Sequence, residues 1–207
     1  MKPKGTRFKS ESSPKISRKK KVASANRTPS LEAEIAAGFP KKLVAGVDEV
    51  GRGCLFGPVV TAAVVLPANV EELLELEGYA WVAKVRDSKL LKPREREELA
   101  PLIRAFVEAW FVAEASPAEI DLLNIHHATL LAMKRAAKGL SSGFDHVIVD
   151  GKFPIPGLAS TAWVKGDQRS LSIACASILA KVYRDQMMVD LSAMYPGYGL
   201  EVHKGYP

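Results

Sequence analysis

The chain has 207 residues, 47% hydrophobic and 25% charged, with 29 Lys and Arg against 23 Asp and Glu for a formal net charge of +6. That is the composition of a globular domain long enough to bury a sizeable core. No run approaches the roughly 18 apolar residues of a membrane span, the basic N-terminus lacks the apolar segment of a signal peptide, and Cys54 and Cys175 make neither a disulfide framework nor a cysteine metal site, so a cytoplasmic monomer with no membrane partner is expected.

The charge is unevenly placed. Residues 1–30 hold ten Lys or Arg and one acid, Glu11, leaving 19 bases and 22 acids, a net of −3, for residues 31–207. Poor in apolar side chains and rich in Ser and Lys, the first 30 residues cannot bury enough surface to offset chain entropy, which predicts a disordered basic tail, with a linker over 31–42. Such a tail either holds nucleic acid through its phosphates or is a solubilising extension.

Residues 43–50 and 58–66 are β-rich runs separated by Gly51-Arg52-Gly53-Cys54-Leu55-Phe56-Gly57, which predicts two neighbouring strands joined by a tight loop. Pro93 opens a helical pattern carrying Leu99, Leu102, Ile103 and Phe106 at helical spacing, and a strand is expected over 107–114. Ser116-Pro117-Ala118-Glu119 has the form of a capping box, and Asn124 can cap a second helix running to Gly139. Residues 146–150 and 160–165 read as short strands. A long helix is expected over 170–194, ending before the Pro and Gly residues of 195–199. This order predicts an α/β domain over 43–207, a mixed sheet covered by helices.

Four acids sit in apolar surroundings. Asp48 and Glu49 lie in Val44-Ala45-Gly46-Val47-Asp48-Glu49-Val50, Asp150 closes His146-Val147-Ile148-Val149-Asp150, and Asp185 shares a helical face with Lys181, Ile178 and Ala174. A regular strand would send only one of Asp48 and Glu49 into any one site, since strand side chains alternate, but both can reach a common site if Glu49 belongs to the following turn. Buried carboxylates need neutralising, either by Arg52, Lys89, Lys152 or Arg184 in salt bridges, or by hard divalent cations. For four acids together the cations are the better explanation, and two such ions held by shared carboxylates suit phosphodiester hydrolysis. Gly51-Arg52-Gly53, directly after the first pair, lets backbone N–H groups approach a phosphate or ribose.

Taken in order, Asp48-Glu49-Val50-Gly51-Arg52-Gly53, Asp87-Ser88-Lys89, Asn124-Ile125-His126-His127-Ala128-Thr129, Val149-Asp150-Gly151, Val164-Lys165-Gly166-Asp167, the stretch from Ala176 to Asp185, and His203-Lys204-Gly205-Tyr206-Pro207 resemble the motifs of ribonuclease HII. The resemblance spans about residues 43–207. It implies an RNase H-like fold, a five-stranded mixed sheet flanked by helices, and two Mn²⁺ or Mg²⁺ ions. The implied activity is endonucleolytic cleavage of RNA in RNA–DNA hybrids and nicking 5′ to a ribonucleotide embedded in duplex DNA, leaving 3′-hydroxyl and 5′-phosphate ends.

Carried over by this resemblance, Asp48, Glu49, Asp150 and Asp185 are the metal-binding, catalytic acids. Gly51, Arg52 and Gly53 read the 2′-hydroxyl and adjoining phosphates. Tyr206 stacks on the sugar beyond the RNA-to-DNA junction. Ser88, Lys89, Lys165, Lys181 and His203 are placed among the substrate contacts. His126 and His127, beside Ile125, Leu130 and Leu131, are read as packing or helix-end residues, and Cys175 as core. Members of this family continue past the last motif into a C-terminal helical segment, expected to be missing here. Two rivals differ in what they require: a non-catalytic duplex-binding protein would bind through the basic tail, and a junction resolvase of the same superfamily would need neither Gly-Arg-Gly nor Tyr206.

Overall fold

The computed structural model describes residues 29–207, so the expected basic tail falls, over residues 1–28, outside the described residues. Among the described residues the strands β1 (Val44–Val50), β2 (Val59–Val65), β3 (Ala109–Ala115), β4 (His146–Asp150) and β5 (Ser160–Trp163) form one sheet ordered β3-β2-β1-β4-β5. The first three strands meet antiparallel, while β4 runs parallel to both β1 and β5. The mixed sheet predicted from the element order is therefore present. No helix of the described residues is long and apolar enough to cross a membrane.

Alternation along the strands builds two cores. Val44, Val60, Ala62, Val64 and Ile148 face α3 (Pro93–Phe106) and the N-terminal half of α5 (Leu171–Met194). Ala45, Val47, Ala63, Val65, Val147 and Val149 face Met133, Ala136 and Ala137 of α4 (Pro117–Lys138). Every residue of α5 from Leu171 to Ala180 is buried, as suits a central helix that is apolar all round. It lies directly on β1: a Cβ on Gly46 would stand 2.2 Å from Ser172 Oγ and 2.5 Å from the Ile173 nitrogen. Only glycine admits that approach.

The stretch 31–42 is not a linker. It holds α1 (Glu32–Ala37), whose Ala33 and Glu34 are fully buried. Glu34 Oε1 accepts from Ser170 Oγ (2.7 Å), the Ser172 N–H (2.8 Å) and Ser172 Oγ (2.7 Å), so α1 caps the start of α5. The expected helix break at Asn124 is present, with φ +66° and ψ 162°, and its Oδ1 accepts from the N–H groups of His126 (3.0 Å) and His127 (3.2 Å). The strand expected over 160–165 stops at Trp163, because Lys165 adopts a left-handed conformation that starts the 3₁₀ turn Gly166–Gln168. Residues left unassigned by pattern fold as α2 (Val70–Leu74), a 3₁₀ segment Glu77–Lys84 and α6 (Leu200–His203).

Candidate active site

β1, β4 and β5 run parallel to one another and so end at one edge of the sheet, where the carboxylates gather. Glu49 remains within β1, paired in register with Thr61, and not in the turn. Asp48 faces α5 while Glu49 faces α4, yet both stand at the strand end. The parallel register pairs Val47 with Val149, and one step further brings Asp48 beside Asp150.

Asp48 is buried, and its carboxylate accepts from the Glu49 N–H at 2.7 Å and from Ser177 of α5. Burial first, then the charges of Glu49 and Asp150, push its carboxyl well above the ordinary range. Glu49 is raised by burial against the lowering effect of Arg52, whose guanidinium stands 3.5 Å away, with Asp150 raising it further. Asp150 is raised by burial although its Oδ1 accepts the Gly166 N–H at 2.7 Å, with Lys89 lowering it and Asp87 raising it.

Asp167 joins this group. Its carboxyl is pushed up to about 6 by burial and by the charges of Asp87 and Asp150. The sequence reading missed it. The available signal was an acid just beyond the end of β5, next to β4, inside the Val164-Lys165-Gly166-Asp167 motif.

Asp185 is paired differently. It lies two helical turns beyond Ser177 on α5, with Lys181 Nζ at 2.7 Å from Oδ1 and the buried Arg96 Nη2 at 3.3 Å from Oδ2. Two cations thus stand against its carboxylate, one from α5 itself and one from α3.

Two other residues expected among the substrate contacts have partners within the protein. Ser88 is buried and bonds Ser177 Oγ through its own Oγ at 2.9 Å, so it supports the residue that holds Asp48. His203 uses both ring nitrogens within its own turn: Nδ1 accepts from the Gly205 N–H at 3.0 Å, and Nε2 bonds the Tyr198 carbonyl at 2.6 Å. No polar atom remains on it for a phosphate. Lys89 faces the acid cluster, where its charge lowers Glu49, Asp150 and Asp167, and Lys165 is exposed beside it.

The glycine loop is held from behind by Arg184. This fully buried guanidinium donates to three carbonyls, those of Pro58 (3.1 Å), Phe56 (2.8 Å) and Lys204 (2.7 Å), tying the loop to the C-terminal segment. A Cβ on Gly51, where φ is +102°, would stand 2.6 Å from Arg184 Nε, so the position needs glycine. Gly53 has open space around it, and Arg52 is exposed. Tyr206 is 38% exposed, in contact with Cys54, with Lys181 Nζ 5.2 Å and Arg184 Cζ 5.9 Å from its ring centre.

Among the described residues no three His, Cys, Asp or Glu side chains close on one point as a coordination shell. The donor chemistry nevertheless suits a divalent cation: Asp48, Glu49, Asp150 and Asp167 are all raised, and three of them are held up by one another's charge as well as by burial.

A β3-β2-β1-β4-β5 mixed sheet with acids at the ends of its parallel central strands is the RNase H-like arrangement. The family model described as Ribonuclease HII matches residues 45–207. Ribonuclease HII of Parasynechococcus marenigrum is 50% identical over 165 residues, covering 79% of this chain and 71% of that protein. Its counterpart in Synechococcus elongatus is 48% identical over 165 residues, covering 79% and 74%. Among solved structures, the ribonuclease H2 of Pyrococcus horikoshii superposes with a TM-score of 0.65 at 29% identity, over 79% of this chain and 80% of that one. The RNase HII of the Archaeoglobus fulgidus PCNA:RNase HII complex gives 0.63 at 28%, over 79% and 81%. A ribonuclease HIII solved in complex with Mn²⁺, 20% identical at a TM-score of 0.59, shares the fold. The chain belongs to the ribonuclease HII family and is an endonuclease.

Proposed function

We propose that this chain hydrolyses the RNA strand of RNA–DNA hybrids and nicks duplex DNA on the 5′ side of an embedded ribonucleotide, leaving 3′-hydroxyl and 5′-phosphate ends. The observation that carries the reading is the set of carboxylates Asp48, Glu49, Asp150 and Asp167, each raised by burial, with Glu49 and Asp150 in one pocket with Arg52 of the glycine loop. Asp48 and Asp150, adjacent at the strand ends, would hold Mg²⁺ or Mn²⁺, with Glu49 and Asp167 flanking them. Bound there, the ions supply Lewis-acid activation of water and neutralise charge on the phosphate and the leaving 3′-oxygen.

The protein's own share is positioning. Ser177, steadied by Ser88, and the Gly166 N–H hold Asp48 and Asp150 in fixed orientations. Gly51 and Gly53 let backbone amides approach a ribose 2′-hydroxyl, and the open space at Gly53 is where a side chain would obstruct that approach. Arg52 is tethered to Glu49 and presents a guanidinium toward an adjoining phosphate. Tyr206, backed by Lys181 and Arg184, offers a ring face to the neighbouring sugar.

The test is incubation of the full chain with Mg²⁺ or Mn²⁺ and either a long hybrid or a DNA duplex containing one ribonucleotide. Incision at the ribonucleotide, with an all-DNA duplex left intact, is expected. No incision, or incision indifferent to the ribonucleotide, would overturn the reading.

A further inference from the structure

A second aromatic surface lies beside Arg52 of the glycine loop, in a pocket that Tyr206 does not line. Immediately after Asp150, the segment Gly151-Lys152-Phe153-Pro154-Ile155-Pro156 leaves β4, and Phe153 is 56% exposed. Its ring stands edge-on to His126, with centroids 4.8 Å apart and an interplanar angle of 70°. Phe153, His126 and Lys152 line one small pocket with Arg52, Glu49 and Asp150.

An exposed phenyl group in one pocket with Glu49 and Asp150 is an unusual neighbour, and its loop is built stiffly. Proline on the C-terminal side of Phe153 restricts both its own φ and the residue before it. Ile155 is buried, donates its N–H to Ser160 Oγ at 2.9 Å and accepts from that hydroxyl at 3.2 Å. Lys134 Nζ of α4 donates to the Pro156 carbonyl at 3.2 Å. His126 is fixed in turn, because its N–H is held by Asn124 at the break in α4. A ring presented this way loses little conformational freedom when something packs on it.

The surrounding charge narrows what that partner is. Lys152 and Arg52 flank the ring, while the acid cluster next to it repels any anion that arrives without cations. A sugar–phosphate backbone fits: the apolar face of a sugar on Phe153, phosphates toward Lys152 and Arg52. Resting on the nuclease reading above, we propose that Phe153, backed by His126 and flanked by Lys152, is a second sugar-contacting platform that grips the substrate strand on the Arg52 side of the glycine loop, as Tyr206 does on the Cys54 side.

Steady-state cleavage of ribonucleotide-containing duplexes by the full-length wild type, F153A and F153Y tests this, using duplexes shortened on one side or the other of the ribonucleotide. F153A is expected to raise KM about tenfold, with a much smaller effect on kcat, while F153Y restores KM to within about twofold. Shortening the duplex on the side that Phe153 grips should raise the wild-type KM and add nothing to that of F153A. An F153A enzyme with wild-type KM, or one whose loss adds independently to shortening on both sides, would overturn the platform. So would a fall in thermal midpoint accompanied by equal losses in kcat and KM, which marks a structural role. Wild type that fails to incise at the ribonucleotide rejects the nuclease reading itself, whereas incision with an unaffected F153A removes only the platform.

Discussion

Asp185 and Asp167 stand in opposite electrostatic surroundings. Asp185, on α5, has Lys181 at 2.7 Å and Arg96 at 3.3 Å. Asp167, in the turn after β5, faces Asp87 and Asp150 and is raised to about 6. One acid is neutralised by the protein and the other is left for something else to neutralise. Both acids sit near apolar residues, and what separates them is how much positive charge the fold sets against each.

The largest effect should come from the cluster's centre. D48N or D150N is expected to abolish detectable cleavage while leaving the metal-free thermal midpoint at or above that of wild type, since each removes a charge its neighbours resist; near-normal turnover would break the comparison. On the neutralised side, R96A strips Asp185 of one cation and leaves the carbonyls of Ser88 and Leu91 without their donor. Urea denaturation should show a loss of about 3 kcal/mol, from the nearly buried Arg96–Asp185 pair and those two bonds together.

A smaller effect is the pH dependence of the metal-free protein. Asp167 titrates at about 6 when folded against an ordinary 3.8, so between these values the folded state binds more protons than the unfolded one. Its contribution is fully present below about pH 4 and is lost as pH rises through about 6, and the raised Asp48, Glu49 and Asp150 act in the same direction. Thermal midpoints should fall across that window, and D167N should flatten the slope. Millimolar Mn²⁺ should raise the midpoint at pH 7 in wild type, by binding the folded state, and less so in D167N.

Much of this architecture was legible in the sequence because its signals are periodic. The β1 and β2 runs, the helical spacing after Pro93 and the Asn124 cap each carry a local pattern that tertiary packing reinforces. α1 escaped because its fixing interaction, Glu34 on the N-terminus of α5, joins residues far apart in the chain and replaces the hydrophobic stripe a longer helix would show. At the site, Asp48, Glu49 and Asp150 stand out as acids at the ends of apolar runs. Asp167 follows a left-handed Lys165 and a glycine in a polar stretch, so its burial comes only from the meeting of β4, β5 and the Asp87 segment. The pairing of Asp185 was hidden for the converse reason: its helical face is buried, but Arg96 comes from α3, which spacing along α5 does not reveal.

The most direct test of the account sets D167N beside D185N in cleavage of a ribonucleotide-containing duplex at saturating Mn²⁺ and substrate. D167N is expected to lower turnover by about 100-fold, while D185N stays within about tenfold of wild type. The reverse order, with D167N near wild type and D185N inactive, would contradict the assignment of the fourth carboxylate and with it the claim that the unneutralised cluster is the catalytic centre.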